Sequence, residues 1–429
     1  MNLRRELQKF ALVLPIVLSL MMLSAIRAQG QEGHHKQDPP HYKITNLGIP
    51  LGGSFATGMS INTMGWVGGS SNLTNDTSEH AVVWRNGSAI DLGTLGGPNS
   101  ALNGTYAGFS ETTTADPLGQ DFCAFGDYLI CLPFALKFNM LTALPTLGGN
   151  SATAYDNNNF GQAIGVSQTS TLDPGCLVGG LPQAPFYEVQ VFLPAVWGSG
   201  GVKALPVLAG DTDGEASGIN NSGQIVGYSG NCLNPTVHAL LWKNGQLVNL
   251  GSLGGVTSSA PTSINNRGEV TRNSDLPGDT TYHAFLWGNG TMTDLGTLPG
   301  DSLSYGNSIN DKGQIVGVSC DASGNCRPFL WENGTMTDLN TLIPTSSLIS
   351  IFYPASINNS GEITGYAYDA TTGDYPAFLA VEGGGGEHCS AEATPRFSVN
   401  ALTLPGNVLS LMQQHGSKGR FAGRANRPQ

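Results

Sequence analysis

The sequence predicts an all-β protein: a seven-bladed β-propeller of four-stranded antiparallel blades, closed by its own N-terminal strand. Three observations carry this expectation. A composite of four short apolar runs recurs at a near-constant step, with Trp197, Trp242, Trp287 and Trp331 spaced by 45, 45 and 44 residues. Within a copy the runs are joined by turn chemistry, Asn289-Gly290 between HAFLW and TMTDLG, and Asn310-Asp311-Lys312-Gly313 between SYGNSIN and QIVGVS. The copies are also out of phase with the ends of the repeat region: YKITNLG at Tyr42–Gly48 is a fourth strand with no third strand before it, and YPAFLA at Tyr375–Ala380 is a third strand with no fourth after it.

Each observation has a physical reading. Asn and Gly tolerate the positive φ of type I′ hairpin turns, so Asn-Gly between apolar runs marks a hairpin. A period of 40 to 50 residues with four strands per copy is the size of a propeller blade. Seven copies are counted by the hairpin that starts at Ile-Asn: Ser60/Ile61/Asn62, the degenerate Ala101-Leu102-Asn103, Tyr155-Asp156-Asn157, Ile219-Asn220, Ile264-Asn265, Ile309-Asn310 and Ile357-Asn358. Seven are also counted by the HAFLW run: His80–Trp84, Phe134–Phe138, Phe192–Trp197, His238–Trp242, His283–Trp287, Pro328–Trp331 and Pro376–Leu379. Strand Tyr42–Gly48 then completes the last blade from outside and removes the open edges that template aggregation. That closure orders the strands of a blade: SYGNSIN innermost, then QIVGVS, HAFLW and, outermost, TMTDLG. Small residues on the innermost strands, Ala154, Ala216, Gly218, Gly306, Ser308 and Ala355, suit the crowding near a ring axis. The repeated Trp is expected to pack between blades.

The His-Ala-Phe core, the LGTLGG link and the INxxGQIVG hairpin resemble the bacterial extracellular HAF-repeat family over residues 42 to 382. The resemblance implies a secreted repeat protein and assigns no activity. Blades 2 and 3 depart from it, losing the His and gaining insertions.

Taken in order, residues 1–28 read as a secretory signal peptide: Arg4, Arg5 and Lys9, an apolar run from Phe10 to Ala25, and Ile26-Arg27-Ala28 before the cleavage point. No later stretch has the apolar length of a membrane-spanning helix. Without residues 1–28 the chain keeps 15 basic against 30 acidic residues. Such a surface repels a polyanion, which excludes nucleic acid as a partner. Only 12% charged residues beside 59 Gly and 24 Pro suit many short strands and tight turns. Residues 29–41 form a polar lead-in whose His34, His35 and His41 have no second ligand cluster nearby. After Glu382 four glycines end the ring. Residues 383–429, closing on Lys418, Arg420, Arg424 and Arg427, read as a disordered basic tail.

The strand order sorts the loops onto two faces. Tight Asn-Gly and Asn-x-x-Gly turns occupy one; the LGTLGG links and the loops between second and third strands occupy the other. Both large insertions, about Glu111 to Cys131 in blade 2 and Gln168 to Val189 in blade 3, fall on the second face, where binding loops are carried on a rigid scaffold. Cys123, Cys131, Cys176, Cys232, Cys320 and Cys326 fall there too. Cys123 with Cys131, and Cys320 with Cys326, would each clamp one loop; Cys176 with Cys232 would join adjacent blades; Cys389 has no expected partner.

Candidate sites follow. Phe122, Phe125, Tyr128, Phe186 and Tyr187 offer stacking area for a ligand. Asp211, Asp213 and Glu215 in GDTDGEA suit calcium, the one cofactor the sequence suggests, although the stretch fails the twelve-residue EF-hand pattern. His80, His238 and His283 open third strands and read as hydrogen-bonded structural groups. Gly-x-Ser recurs at Gly108–Ser110, Gly165–Ser167, Gly227–Ser229 and Gly317–Ser319 as strand-end chemistry, never as a nucleophile elbow, and no HExxH occurs. The expectation is a secreted, monomeric, non-enzymatic protein binding an extracellular glycan or protein through the loop-rich face. The alternatives are a polysaccharide hydrolase or lyase using Asp156, Asp211, Asp213 or Asp301, and a structural envelope component.

Overall fold

Third strands of the repeat do not alternate apolar with polar residues, because both of their faces are buried. In Glu79–Arg85, Val82 and Trp84 pack toward Ala377 of blade 7, while Ala81 and Val83 pack toward Leu102 and Phe134 of blade 2. Successive side chains leave a strand on opposite faces, so one run feeds two interfaces. The same layering recurs between blades 3 and 4 (Ile164, Ala216, Ile225, Leu240, Trp242) and between blades 4 and 5 (Val226, Leu241, Ile264, Phe285). The hydrophobic core is thus a ring of interblade layers.

A computed structural model describes residues 40–178, 187–231, 234–383 and 397–398. It shows seven blades of four antiparallel strands arranged in a ring, a seven-bladed β-propeller. Blade 1 comprises Gly52–Ile61, Val67–Leu73, Glu79–Arg85 and Ser88–Asp91; blade 4 comprises Asp213–Ile219, Ile225–Asn231, Asn234–Lys243 and Gln246–Asn249. In blade 7 the order is Ile349–Ile357, Ile363–Asp369, Ala377–Glu382 and then the N-terminal Tyr42–Gly48, paired from Tyr42↔Glu382 to Gly48↔Ala377. The closure expected from the phase of the repeats is therefore observed. Tyr42 is 1% exposed among Leu330, Ile363 and Phe378, so the closing strand is part of the core. Among the described residues no helix is long and apolar enough to cross a membrane.

The signal peptide, nearly all of the lead-in, and the tail lie outside the described residues, except that Phe397–Ser398 adds a two-residue strand beside Asn325–Cys326 of blade 6.

The Gly-x-Ser motif is explained by packing within the blade. A Cβ on Gly227 would sit 2.0 Å from the Glu215 carbonyl oxygen of the bulged first strand, and Gly69, Gly108, Gly165, Gly317 and Gly365 are similarly confined. The serine two residues on serves the link. The hydroxyls of Ser71, Ser110, Ser167, Ser229, Ser274 and Ser319 accept the amide N–H of Leu51, Leu95, Leu147, Leu208, Leu253 and Leu298. The links entering blades 1 to 6 are therefore pinned to those blades, and Gly-x-Ser and LGTLGG are two halves of one contact. The indole N–H of Trp84, Trp197 and Trp242 donates to the carbonyls of Leu47, Pro145 and Pro206, so these buried tryptophans join strand to link, as core residues do.

Candidate functional site

The two faces differ in how their polar groups are used. On the tight-turn face, Asn220 Oδ1 accepts the amides of Ser222 and Gln224, while its Nδ2 donates to Gln224 Oε1 at 2.7 Å and to the Asn265 carbonyl of the next blade at 2.9 Å. Every position of the amide is satisfied. Asn158, Asn265, Asn310 and Asn358 repeat the arrangement, each Nδ2 reaching the next blade's carbonyl and the last reaching Asn62. In blade 2, Tyr106 bridges the gap, its hydroxyl accepting from Asn62 Nδ2 and its amide donating to Asn157 Oδ1. The ring identifies one register correction. Asn158, not Asn157, is the equivalent of Asn220 in blade 3, because the asparagine must stand four residues before the glutamine whose amide it caps. Asp156 is equally committed, accepting from the amides of Asn157 and Ile219. A cavity of about 190 Å³ opens on the axis here, lined by these asparagines, but their amides are spent on holding blades together.

The loop-rich face holds the remaining predicted groups. His80 and His283 donate from Nδ1 to Asp91 at 3.0 Å and Asp294 at 2.9 Å, on the fourth strands of their own blades. In blade 4 the fourth strand ends on Asn249, and His238 turns to Asp211 in the link, at 3.0 Å. In blade 6 Arg327 takes the histidine's place and meets Asp301 at 2.9 Å, with side chains 6% and 0% exposed. The structural reading of these histidines holds. Asp211 also accepts from the Ser229 hydroxyl, and Asp213 accepts the Phe192 amide at 3.0 Å and the Thr212 hydroxyl at 2.7 Å. Burial pushes the Asp213 carboxyl up to about 6, against those two bonds. Asp213 and Glu215 are 1% and 2% exposed. Among the described residues no group of three or more His, Cys, Asp or Glu is placed to hold a metal ion.

Both loop-clamping disulfides are present, Cys123–Cys131 and Cys320–Cys326. The side chain of Cys176, with Cys232 and Cys389, lies outside the described residues, as do Phe186 and the side chain of Tyr187. Phe122 is 3% exposed and packs with Phe109, Cys123, Cys131 and Phe192; the insertion uses it as its own core, so it offers no stacking surface. Phe125 packs on the same cluster, 5.9 Å from the Phe109 ring. Tyr128, 55% exposed, is the most exposed of the predicted aromatics among the described residues, with Phe125 half-buried.

The sequence reading missed a carboxylate cluster at the seam of blades 1 and 2, beneath that insertion. Asn99, in the link between the blades, donates from Nδ2 to Glu111 Oε2 and to Asp127 Oδ2, both at 2.8 Å, and accepts the Glu79 amide on Oδ1 at 3.0 Å. Glu79 and Glu111 are 2% and 0% exposed. Burial, then the nearby Glu111, pushes Glu79 up to about 8; burial, opposed by the Asn99 bond and helped by Asp127 and Asp121, pushes Glu111 up to about 7. Comparing the copies would have flagged them, because Glu79 stands where Val237 and Tyr282 stand before their histidines, and Glu111 follows Ser110 where Gly230 and Cys320 follow theirs.

A second departure is Arg272, which replaces the confined glycine in blade 5. It is 4% exposed, donates to Asn307 Oδ1 at 3.2 Å and lies 5.0 Å over the Tyr305 ring, while Tyr353 OH donates to the same Asn307 oxygen. An arginine thus ties blades 5, 6 and 7 where its neighbours use backbone packing.

No protein-family model and no curated protein matches this chain. Among solved structures, it is similar to an acylaminoacyl peptidase of Pyrococcus horikoshii (10% identity, 78% of this chain and 52% of that one, TM-score 0.42), to the β-propeller domain of a trilobed protease from Pyrococcus furiosus (11%, 66% and 81%, 0.40) and to an oligogalacturonate lyase from Vibrio parahaemolyticus (9%, 81% and 94%, 0.45). The chain spans about half the length of the peptidase.

Proposed function

We propose that this propeller is a secreted binding protein that takes an extracellular glycan or protein on its loop-rich face, over blades 1 to 3. The observation that carries the reading is the distribution of buried polar atoms without a hydrogen-bonding partner. Asn72 Oδ1, both oxygens of Glu79, Glu111 Oε1, Asp116 Oδ2 and Asn150 Nδ2 all lie at the loop-rich end of these blades, against Ser60 Oγ and Asn103 Oδ1 at their tight-turn end, where the asparagines that tie blade to blade are saturated. Buried polar groups are normally paired, so a cluster of unpaired ones calls for a partner such as water, an ion or a ligand. The blade 2 insertion, with its disulfide and exposed Tyr128, borders them, and two clamping disulfides suit an oxidising, extracellular setting.

The test replaces residues 116–128 with an Asn-Gly turn, together with Cys131→Ser, and compares glycan-array and extracellular-protein binding with the parent. Binding lost from a chain that keeps its circular dichroism and cooperative melt supports the reading; unchanged binding sinks it. A second reading has its own observation. A carboxyl pushed up to about 8 beside one pushed up to about 7 can carry a proton near neutral pH, the equipment of general acid catalysis on a glycosidic bond. Release of reducing ends from a polysaccharide panel, abolished by Glu79→Gln, would establish it.

A further inference from the structure

We propose that the seam between blades 1 and 2 on the loop-rich face is a recognition site for a primary ammonium group. This rests on the reading of that face as the ligand face and narrows its ligand to one bearing such a group, in the first place a lysine side chain. With both carboxyls ionised, the state that a bound cation favours, the unpartnered buried atoms at the seam are all acceptors: Glu79 Oε1 and Oε2, Glu111 Oε1 and Asn72 Oδ1. Asn72 is independent of the acids and 0% exposed. It stands directly across the ladder from Glu79, so the two side chains leave the sheet on the same face. Its Nδ2 is already given to Asp76 Oδ1 at 3.1 Å, which leaves its carbonyl oxygen as the group without a donor.

Asn99 supplies only part of what the cluster needs. Its two amide hydrogens go to Glu111 Oε2 and Asp127 Oδ2, and among the described residues neither Glu79 nor Glu111 has an ion-pair partner. The deficit is therefore of N–H donors and of positive charge together. An ammonium group brings three donors and no acceptor, whereas a hydroxyl brings two lone pairs with each donor. A divalent ion would need ligands that converge, and the described residues contain no such group. Exposed Asp127 of the insertion joins the cluster through Asn99, and exposed Tyr128 follows it in the chain, so one anionic group and a neighbouring aromatic one are offered to the aliphatic stem of a lysine.

The test is a thermal-shift titration of the full chain with disulfides intact. Nα-acetyl-lysine amide and putrescine carry the ammonium group, tetramethylammonium carries charge without N–H donors, and butanediol carries neither. The two ammonium compounds should raise Tm in a dose-dependent way and the two controls should not. The stronger of the two identifies a protein lysine or a free polyamine as the source. The shift should vanish in Glu79→Gln/Glu111→Gln and weaken in Asp127→Asn, an exposed change that tests the site even if the buried pair fails to fold. Absence of an ammonium shift, an equal shift with tetramethylammonium or butanediol, or an undiminished shift in Asp127→Asn overturns the inference. If it fails while replacement of residues 116–128 still abolishes glycan or protein binding, the loop-rich face stands and only the ammonium site falls; if that replacement leaves binding unchanged, both fall.

Discussion

At the level of single residues, the histidine or arginine that opens a third strand and the aspartate that faces it vary together. His80 and His283 find Asp91 and Asp294 on their own fourth strands, His238 finds Asp211, and Arg327 finds Asp301, with Asp338 at 3.7 Å. Among the described residues Glu79 and Glu111 face no such histidine or arginine, and this has a consequence for stability. Both carboxyls are raised above the ordinary value, to about 8 and about 7, so between roughly pH 4.5 and 8 the folded chain holds protons that the unfolded chain has released. Their contribution is present at low pH and is lost as pH rises through that window. A tenfold difference in proton affinity between the folded and unfolded chain is worth about 1.4 kcal/mol, so Glu79→Gln should flatten the decline and melt above the parent near pH 8, with little difference near pH 4.5. Melting curves across that range decide it, and a variant that tracks the parent at every pH removes the buried charge from the account.

At the level of the repeated element, the INxxGQ hairpin does two jobs with one side chain: Asn220 caps its own turn and hydrogen-bonds the next blade. Asn220→Asp keeps both accepting contacts and loses both donated ones, leaving Gln224 Oε1 and the Asn265 carbonyl without that donor. A loss of about 1–3 kcal/mol is expected, read by chemical denaturation. Asn221→Ala, which removes an outer-tier contact to the Asn159 amide, should cost less; equal losses would show that the inner ring is not the stronger tie.

For the molecule as a whole, closure by Tyr42–Gly48 is the step that turns seven blades into a ring. A chain starting at Ile49 would expose the Ala377–Glu382 edge and open the cluster of Tyr42, Leu330 and Phe378. It should lose its cooperative melt and aggregate through the open strand, as light scattering during a thermal ramp would show. A truncated chain that melts with the parent's midpoint and stays clear would mean that the ring does not depend on the closing strand.

The sequence by itself determined the architecture, because a propeller is built from local signals repeated seven times. Trp spacing, Asn-x-x-Gly turns and the phase of the first strand each reflect chemistry within one blade or its immediate neighbour. The same locality allowed the two small disulfides to be read, since Cys320 and Cys326 face each other across one hairpin. Contacts between copies were settled only by folding. The tie from Asn158 to the Asn220 carbonyl depends on where the next blade sits. The burial of Phe122 depends on Phe192 from blade 3 closing over it. The meeting of Glu79, Asn99, Glu111 and Asp127 joins two strands, a link and an insertion that the periodicity does not place together. Those residues depart from the repeat, and a departure acquires chemical meaning only through the neighbours that folding brings to it.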